Sequence, residues 1–182
     1  MAEAHAKRGG FQVRSRTATW ALERAYVAAP LVLRLTVGPM LLAHGLQKLF
    51  GLSAAAQGME AMGVAPGMLA AVAVGLVEGL GGAALILGFF TRFAAFANFV
   101  VQLVAMLVVH LPNGFFLNWS NTPNVGHGIE FNLVNLGALL ALIVLGGGAI
   151  SLDHAMHSKG RLQTHRTQTP AATPPTPPGT RV

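Results

Sequence analysis

The stretch Leu31–Leu52 reads LVLRLTVGPMLLAHGLQKLFGL. It is apolar and long enough to cross a bilayer, for which roughly 20 residues suffice. Yet it carries Arg34, His44, Gln47 and Lys48. An ionisable group at the bilayer centre costs several kcal/mol, so these side chains are expected to face protein or a water-filled cavity rather than lipid. On a helix turning about 100° per residue, Arg34, Gly38, Leu41, Gly45 and Lys48 share one narrow face, with His44 just beside it. Gly38 and Gly45 would admit a neighbouring helix at close range. Pro39 is expected to kink the helix locally.

The rest of the chain has the same character. Of 182 residues, 53% are hydrophobic and only 10% charged, against about 25% charged in ordinary soluble domains. Removing the apolar runs leaves no water-soluble domain, so the class is integral membrane protein. There is no cysteine. Disulfides, thiol redox chemistry and iron–sulfur clusters held by the chain's own thiolates are excluded. The net charge of +6 gathers at the two termini, as membrane topology requires, and is not read as a nucleic-acid footprint.

Four spans are expected. The basic segment Met1–Arg24 leads into a first span over Tyr26–Leu49, with Trp20 and Tyr26 suited to an interfacial belt. The first apolar run is too long for a signal-peptide core, so the lead-in is expected to be retained. Gly51–Pro66 reads as a short polar loop, and Gly67–Gly88 as the second span with Glu78 near its middle. Phe89–Phe93 is a tight turn bearing Arg92, and Ala94–Leu111 the third span. Asn113–Gly128 is the longest loop, Ile129–Ile150 the fourth span, and Ser151–Val182 a tail with disorder-prone composition. The lead-in, the Arg92 turn and the tail are basic, while the other two loops lack Lys and Arg. Both ends in the cytoplasm satisfies every segment.

Counting about 1.5 Å per residue from the inner edge places Arg34 roughly 8 Å deep and Glu78 roughly 15 Å deep. A long arginine could cover that gap, either as a structural salt bridge or as a polar site for a proton or head group. His44, Gln47 and Lys48 lie toward the outer end of the first span, level with His110, His127 and Glu130. His127 and Glu130, at i and i+3, could both ligate a metal if the last helix starts early enough. The alternative is interfacial histidine beside a snorkelling lysine. A quinone head group is a third reading, since its carbonyl oxygens want His, Lys or Gln donors. Asn98, Gln102, Asn132 and Asn135 are expected to make interhelical hydrogen bonds. No phosphate-binding loop, dinucleotide fingerprint or HExxH motif is present.

Three ordered motifs carry a resemblance. LRLTVGPMLLAHGLQKLFG presents an Arg, a Gly and then HG-x-x-K; GLVEGLGGAALILGFFTRFAA presents an intramembrane Glu, a Gly pair and G-x-x-T-R; HGIEFNLVNLGALLAL is followed by GGGAISLDH. The sequence resembles the DoxX family over Leu31–His154. The resemblance implies a small four-helix membrane protein. Relatives are described as oxidoreductases, as the membrane subunit of thiosulfate:quinone oxidoreductase, or as partners of stress and redox enzymes. The matched positions are Arg34, His44, Gly45, Lys48, Glu78, Gly82, Arg92 and Glu130. Without cysteine, any sulfur-based electron chemistry must reside on a partner.

The expected fold is therefore an all-α membrane protein: a four-transmembrane-helix bundle, both termini cytoplasmic and disordered. Residues 1–24 form the basic segment, 25–154 the DoxX-like membrane domain and 155–182 the Pro/Thr-rich tail. The expected function is a quinone-interacting inner-membrane subunit or anchor of a redox system, acting with a partner protein; whether the chain is itself an enzyme stays open. Glu78, Arg34 and His44 are candidates for proton chemistry. Lys48, His110, Glu130 and Gln47 are candidates for holding the quinone head, and no metal is assigned. The alternative is a non-catalytic scaffold or a small-solute carrier.

Overall fold

In hydrocarbon a chain must satisfy its peptide groups within each segment, which favours helix. The computed structural model describes residues 2–158, with side chains from residue 24 onward except residue 26, and no strand occurs among them. The side chains of Trp20 and Tyr26, and the tail beyond residue 158, lie outside the described residues.

Helix α1 spans Ala2–Phe50, so the lead-in and the first span are one continuous helix of 49 residues. Gly51 interrupts it, and α2 follows at Leu52–Ala61 where a polar loop was expected. The Leu, Ala, Gln, Met and Glu of that segment are good helix formers. The glycines that suggested a loop only bound or interrupt it. Glu60 Oε1 accepts the Gly67 N–H at 3.1 Å, so α2 folds onto the start of α3.

Helix α3 spans Gly67–Leu87 and ends at Gly88, whose left-handed conformation (φ 68°) favours glycine. Helix α4 spans Thr91–Ala105, widens into a π turn over Met106–His110 and tightens into a 3-10 turn over Leu111–Asn113. Pro112 has no N–H to donate to the preceding turn and helps end the helix there. Helix α5 is shorter than the expected fourth span, Glu130–Leu145, because Gly146 and Gly148 take positive φ and turn the chain. Residues 152–158 are helical again.

Among the described residues, three segments are long and apolar enough to cross a membrane: Val27–Phe50, Gly67–Leu87 and Thr91–Asn113. Helix α5 is apolar but has 16 residues. Helix α3 is central, packing on α1, α2 and α4, while α5 lies on α4 and closes back on α1. Val37, Leu41, Leu85, Leu139 and Leu142 form the buried centre.

Glycine sets the register of α1 against α3. A Cβ on Gly38 would lie 2.8 Å from Ile86 Cγ1, and one on Gly45 would lie 2.5 Å from Gly79 Cα. A Cβ on Gly82 would strike the Leu42 backbone, and one on Gly75 would come within 2.9 Å of Leu49. The helices run antiparallel with backbones nearly touching, as small residues permit. In this register Arg34 falls level with Phe90 and Glu78 with Leu46. These two levels are about 18 Å apart along the helix axis.

Candidate functional site

That register separates the two charges expected to meet. Glu78 is paired instead with Lys48, whose Nζ donates to Oε2 at 2.6 Å. The Glu78 side chain is 5% exposed and that of Lys48 is 25% exposed, so the pair is buried on the carboxylate side and open on the ammonium side. Lys48 lies in the last turn of α1 and reaches back toward the middle of α3. A lone carboxylate at this depth would be costly, and the lysine neutralises it.

Arg34 is 2% exposed and sits at the other end of α3. Its Nε donates to Leu85 O at 2.7 Å and its Nη2 to Ile86 O at 2.8 Å. Its Nη1 donates to Gly147 O at 2.8 Å and Ile150 O at 2.6 Å. Two of these carbonyls end α3, where the dipole favours a cation; Leu85 O also accepts the Gly88 N–H at 3.1 Å. The other two belong to the turn after α5. The expected Arg34–Glu78 contact is thus replaced by an arginine that ties α1 to the ends of two other helices. The antiparallel register of α1 on α3, not the count along each span, decides that the two side chains do not meet.

Asp153 completes this end of the molecule. Its Oδ1 accepts the Phe90 N–H at 2.8 Å, its Oδ2 the Thr91 N–H at 2.9 Å, and its own N–H donates to Gly88 O at 2.9 Å. Phe90, held at φ 45°, and the start of α4 are therefore capped from 62 residues or more away. The S-L-D motif was visible in the sequence, but nothing local indicated which helix its carboxylate would cap.

Between these levels lie buried amides. Asn98 Nδ2 donates to Val77 O at 3.2 Å and Ala94 O at 2.9 Å. Asn132 Nδ2 donates to Gln102 Oε1 at 3.4 Å, and Asn135 Nδ2 to Met40 Sδ at 4.0 Å. These contacts join α4 to α3, α5 to α4 and α5 to α1, as interhelical bonds were expected to do. Asn98 Oδ1 is buried without a partner.

The expected outer cluster comes together only in part. His110 Nδ1 lies 2.9 Å from His127 O, and His127 Nδ1 accepts the Asn118 N–H at 3.2 Å. Glu130 Oε2 accepts the Leu117 N–H at 3.2 Å. These three residues brace the 114–129 loop against its own main chain. They do not converge as ligands: among the described residues no group of three or more His, Asp or Glu is placed to hold a metal. His44 and Gln47 are exposed on α1. His44 lies one turn from Lys48, a spacing that brings side chains together on a helix.

Residues 29–111 match the DoxX family model. The inner membrane protein YqjF of Escherichia coli (strain K12) is 31% identical over 131 residues, covering 71% of this chain and 92% of that protein. The chain belongs to the DoxX family. No solved structure matches it. This DoxX protein is an integral membrane protein, with three membrane-length apolar helices among the described residues. The matched region holds Arg34, His44, Gln47, Lys48, Glu78 and His110, while Glu130 and Asp153 lie beyond it. Both the ion pair and the Arg34 node are therefore anchored in the DoxX segment, and the node borrows its last partners from the α5 exit.

Proposed function

We propose that this DoxX protein is the quinone-interacting membrane subunit of a redox system. The observation that carries the reading is the Lys48–Glu78 pair: a buried carboxylate joined to a partly exposed ammonium within the apolar spans. His44 lies exposed one turn away on α1. A quinone partitions into hydrocarbon, and its carbonyl oxygens need N–H donors. Lys48 and His44 offer such donors at the bilayer-facing edge, so the donor set fits the group. Two-electron reduction of a quinone takes up two protons. Lys48, which carries its proton as the ammonium donating to Glu78, would supply one of them at the exposed side of the pair, and Glu78 would hold that charge in place until then. Any sulfur-based electron chemistry resides on a partner protein, because this chain has no cysteine.

The same reading has four crossings with both termini in the cytoplasm. Residues 1–24 and 155–182 flank a membrane domain over 25–154. The inner membrane is its site, as the name of its Escherichia coli relative says of that protein. Arg34 favours a second role beside the first. All four of its hydrogen bonds end on main-chain carbonyls, as suits a rigid scaffold on which a soluble partner docks.

Purification in mild detergent followed by extraction and chromatography tests the proposal. Quinone should co-isolate with the wild type and be lost from Lys48→Met and Glu78→Gln. Wild-type protein free of quinone, with membrane quinone reduction unchanged in Glu78→Gln, would leave the scaffold role alone.

A further inference from the structure

Two concavities meet at the α3–α4 turn. One is a cleft of about 700 Å³ between the start of α4 and the glycine turn after α5, walled by Thr91, Arg92, Gly146 and His154. The other is a groove of about 880 Å³ along α3 and α4, running from Leu76 to Phe93, with almost no polar surface. Phe90 and Phe93 line both, so the two adjoin at these rings.

The cleft carries a cation that the fold hardly uses. Arg92 is exposed and makes one hydrogen bond, from Nη2 to Val144 O at 3.2 Å. A guanidinium has five N–H donors, so most of its capacity remains. The acid in the same cleft is already engaged, since Asp153 accepts from both Phe90 and Thr91. It also interacts electrostatically with Arg34. Thr91 adds a hydroxyl that is buried with no hydrogen-bond partner. His154 is exposed at the rim, while His157 Nδ1 is occupied by Asp153 O at 2.6 Å.

The groove supplies the complementary half. From Leu76 to Leu87 it follows α3 for about 16 Å, close to the hydrocarbon depth of one leaflet. Gly81, Ala83, Ala84 and Ala97 keep its floor shallow-sided and smooth. Its polar end lies at the turn between the membrane-length segments Gly67–Leu87 and Thr91–Asn113, the end at which head groups would sit.

We infer that the two concavities together bind one anionic phospholipid, its phosphate at Arg92 in the cleft and an acyl chain along the α3–α4 groove. Phe90 and Phe93 flank the junction, where the glycerol backbone would cross. A cation at the mouth of an apolar groove matches this chemistry better than it matches another apolar helix, which would leave Arg92 without a counter-charge.

Native mass spectrometry of the full chain, released from detergent after equilibration with equimolar phosphatidylglycerol and phosphatidylcholine, tests this. Wild type should retain phosphatidylglycerol in preference by about fivefold, the effect of one basic side chain at a membrane surface. Arg92→Gln should abolish the preference and Arg92→Lys should keep most of it. Ala97→Phe, which fills the groove, should lower retention of both lipids. Equal retention by wild type, or a preference that survives Arg92→Gln, would overturn the proposal. So would displacement of the lipid by inorganic phosphate with no effect of Ala97→Phe, which marks a bare anion site. A lipid-free dimer would also overturn it, placing a second copy in the groove. If Arg92→Gln does not fold, the wild-type competition and Ala97→Phe still decide.

Discussion

Replacing Arg34 by methionine keeps an apolar stem and removes the four hydrogen bonds that tie α1 to the α3 terminus and the α5 exit. Each buried carbonyl left unpaired costs about 1–3 kcal/mol. Reversible unfolding in mixed micelles should show Arg34→Met less stable by at least about 3 kcal/mol. Arg34→Lys should recover little, because an ammonium cannot reach carbonyls on two elements with a planar fork. The ion pair calls for a different experiment. Lys48→Met and Glu78→Gln should each destabilise, since each strands the other partner, and the double variant should lose less than the two combined. A coupling of roughly 0.5–3 kcal/mol is expected from the cycle. Additive losses would mean the 2.6 Å contact contributes nothing. That Arg34 and Glu78 turn inward could be read from their cost in hydrocarbon. Which partner each finds could not, because partners depend on how α1 and α3 slide past one another, and no single charged residue reports that.

The sliding is decided by glycines, and their effect on stability differs sharply between elements. Gly45 faces the α3 backbone, where an added methyl would lie 2.5 Å from Gly79 Cα. No flexible side chain can yield there, so Gly45→Ala should cost about 1–3 kcal/mol through overpacking. Gly58 in α2 has nothing within 4 Å of the same position. Gly58→Ala should therefore raise stability by about 0.5–1 kcal/mol, by limiting the unfolded chain and improving helix propensity. Thermal unfolding of the two variants should move in opposite directions. The close approach of helices at Gly38 and Gly45 was legible from their shared face with Arg34 and Lys48. Helix α2 was not legible, because Gly51, Gly58, Gly63 and Pro66 punctuate the segment like a loop while its other residues favour helix. The Asp153 cap was hidden for another reason. It joins residues 62 apart, and its motif has no periodicity to read.

At the scale of the whole molecule, a fourth crossing depends on α5. Its 16 residues rise about 24 Å, short of a hydrocarbon core of about 30 Å. The remainder falls to the irregular turn at 146–150, and irregular main chain at membrane depth is tolerated only where protein satisfies it. Here part of it is satisfied: Gly146 and Gly147 are buried, Arg34 takes the carbonyls of Gly147 and Ile150, and Ser151 takes that of Gly148. On the four-crossing reading proposed above, the buried arginine lets a short helix finish a long crossing, with the 114–129 loop and residues 152–158 on opposite sides. Since the chain has no cysteine, single cysteines report cleanly. Gln57→Cys and Ser120→Cys should react with a membrane-impermeant maleimide added to intact cells. Ser158→Cys should react only after permeabilisation. Labelling of Ser120→Cys and Ser158→Cys from the same side would show that α5 lies along the membrane rather than through it, and would remove the four-crossing arrangement with both termini inside.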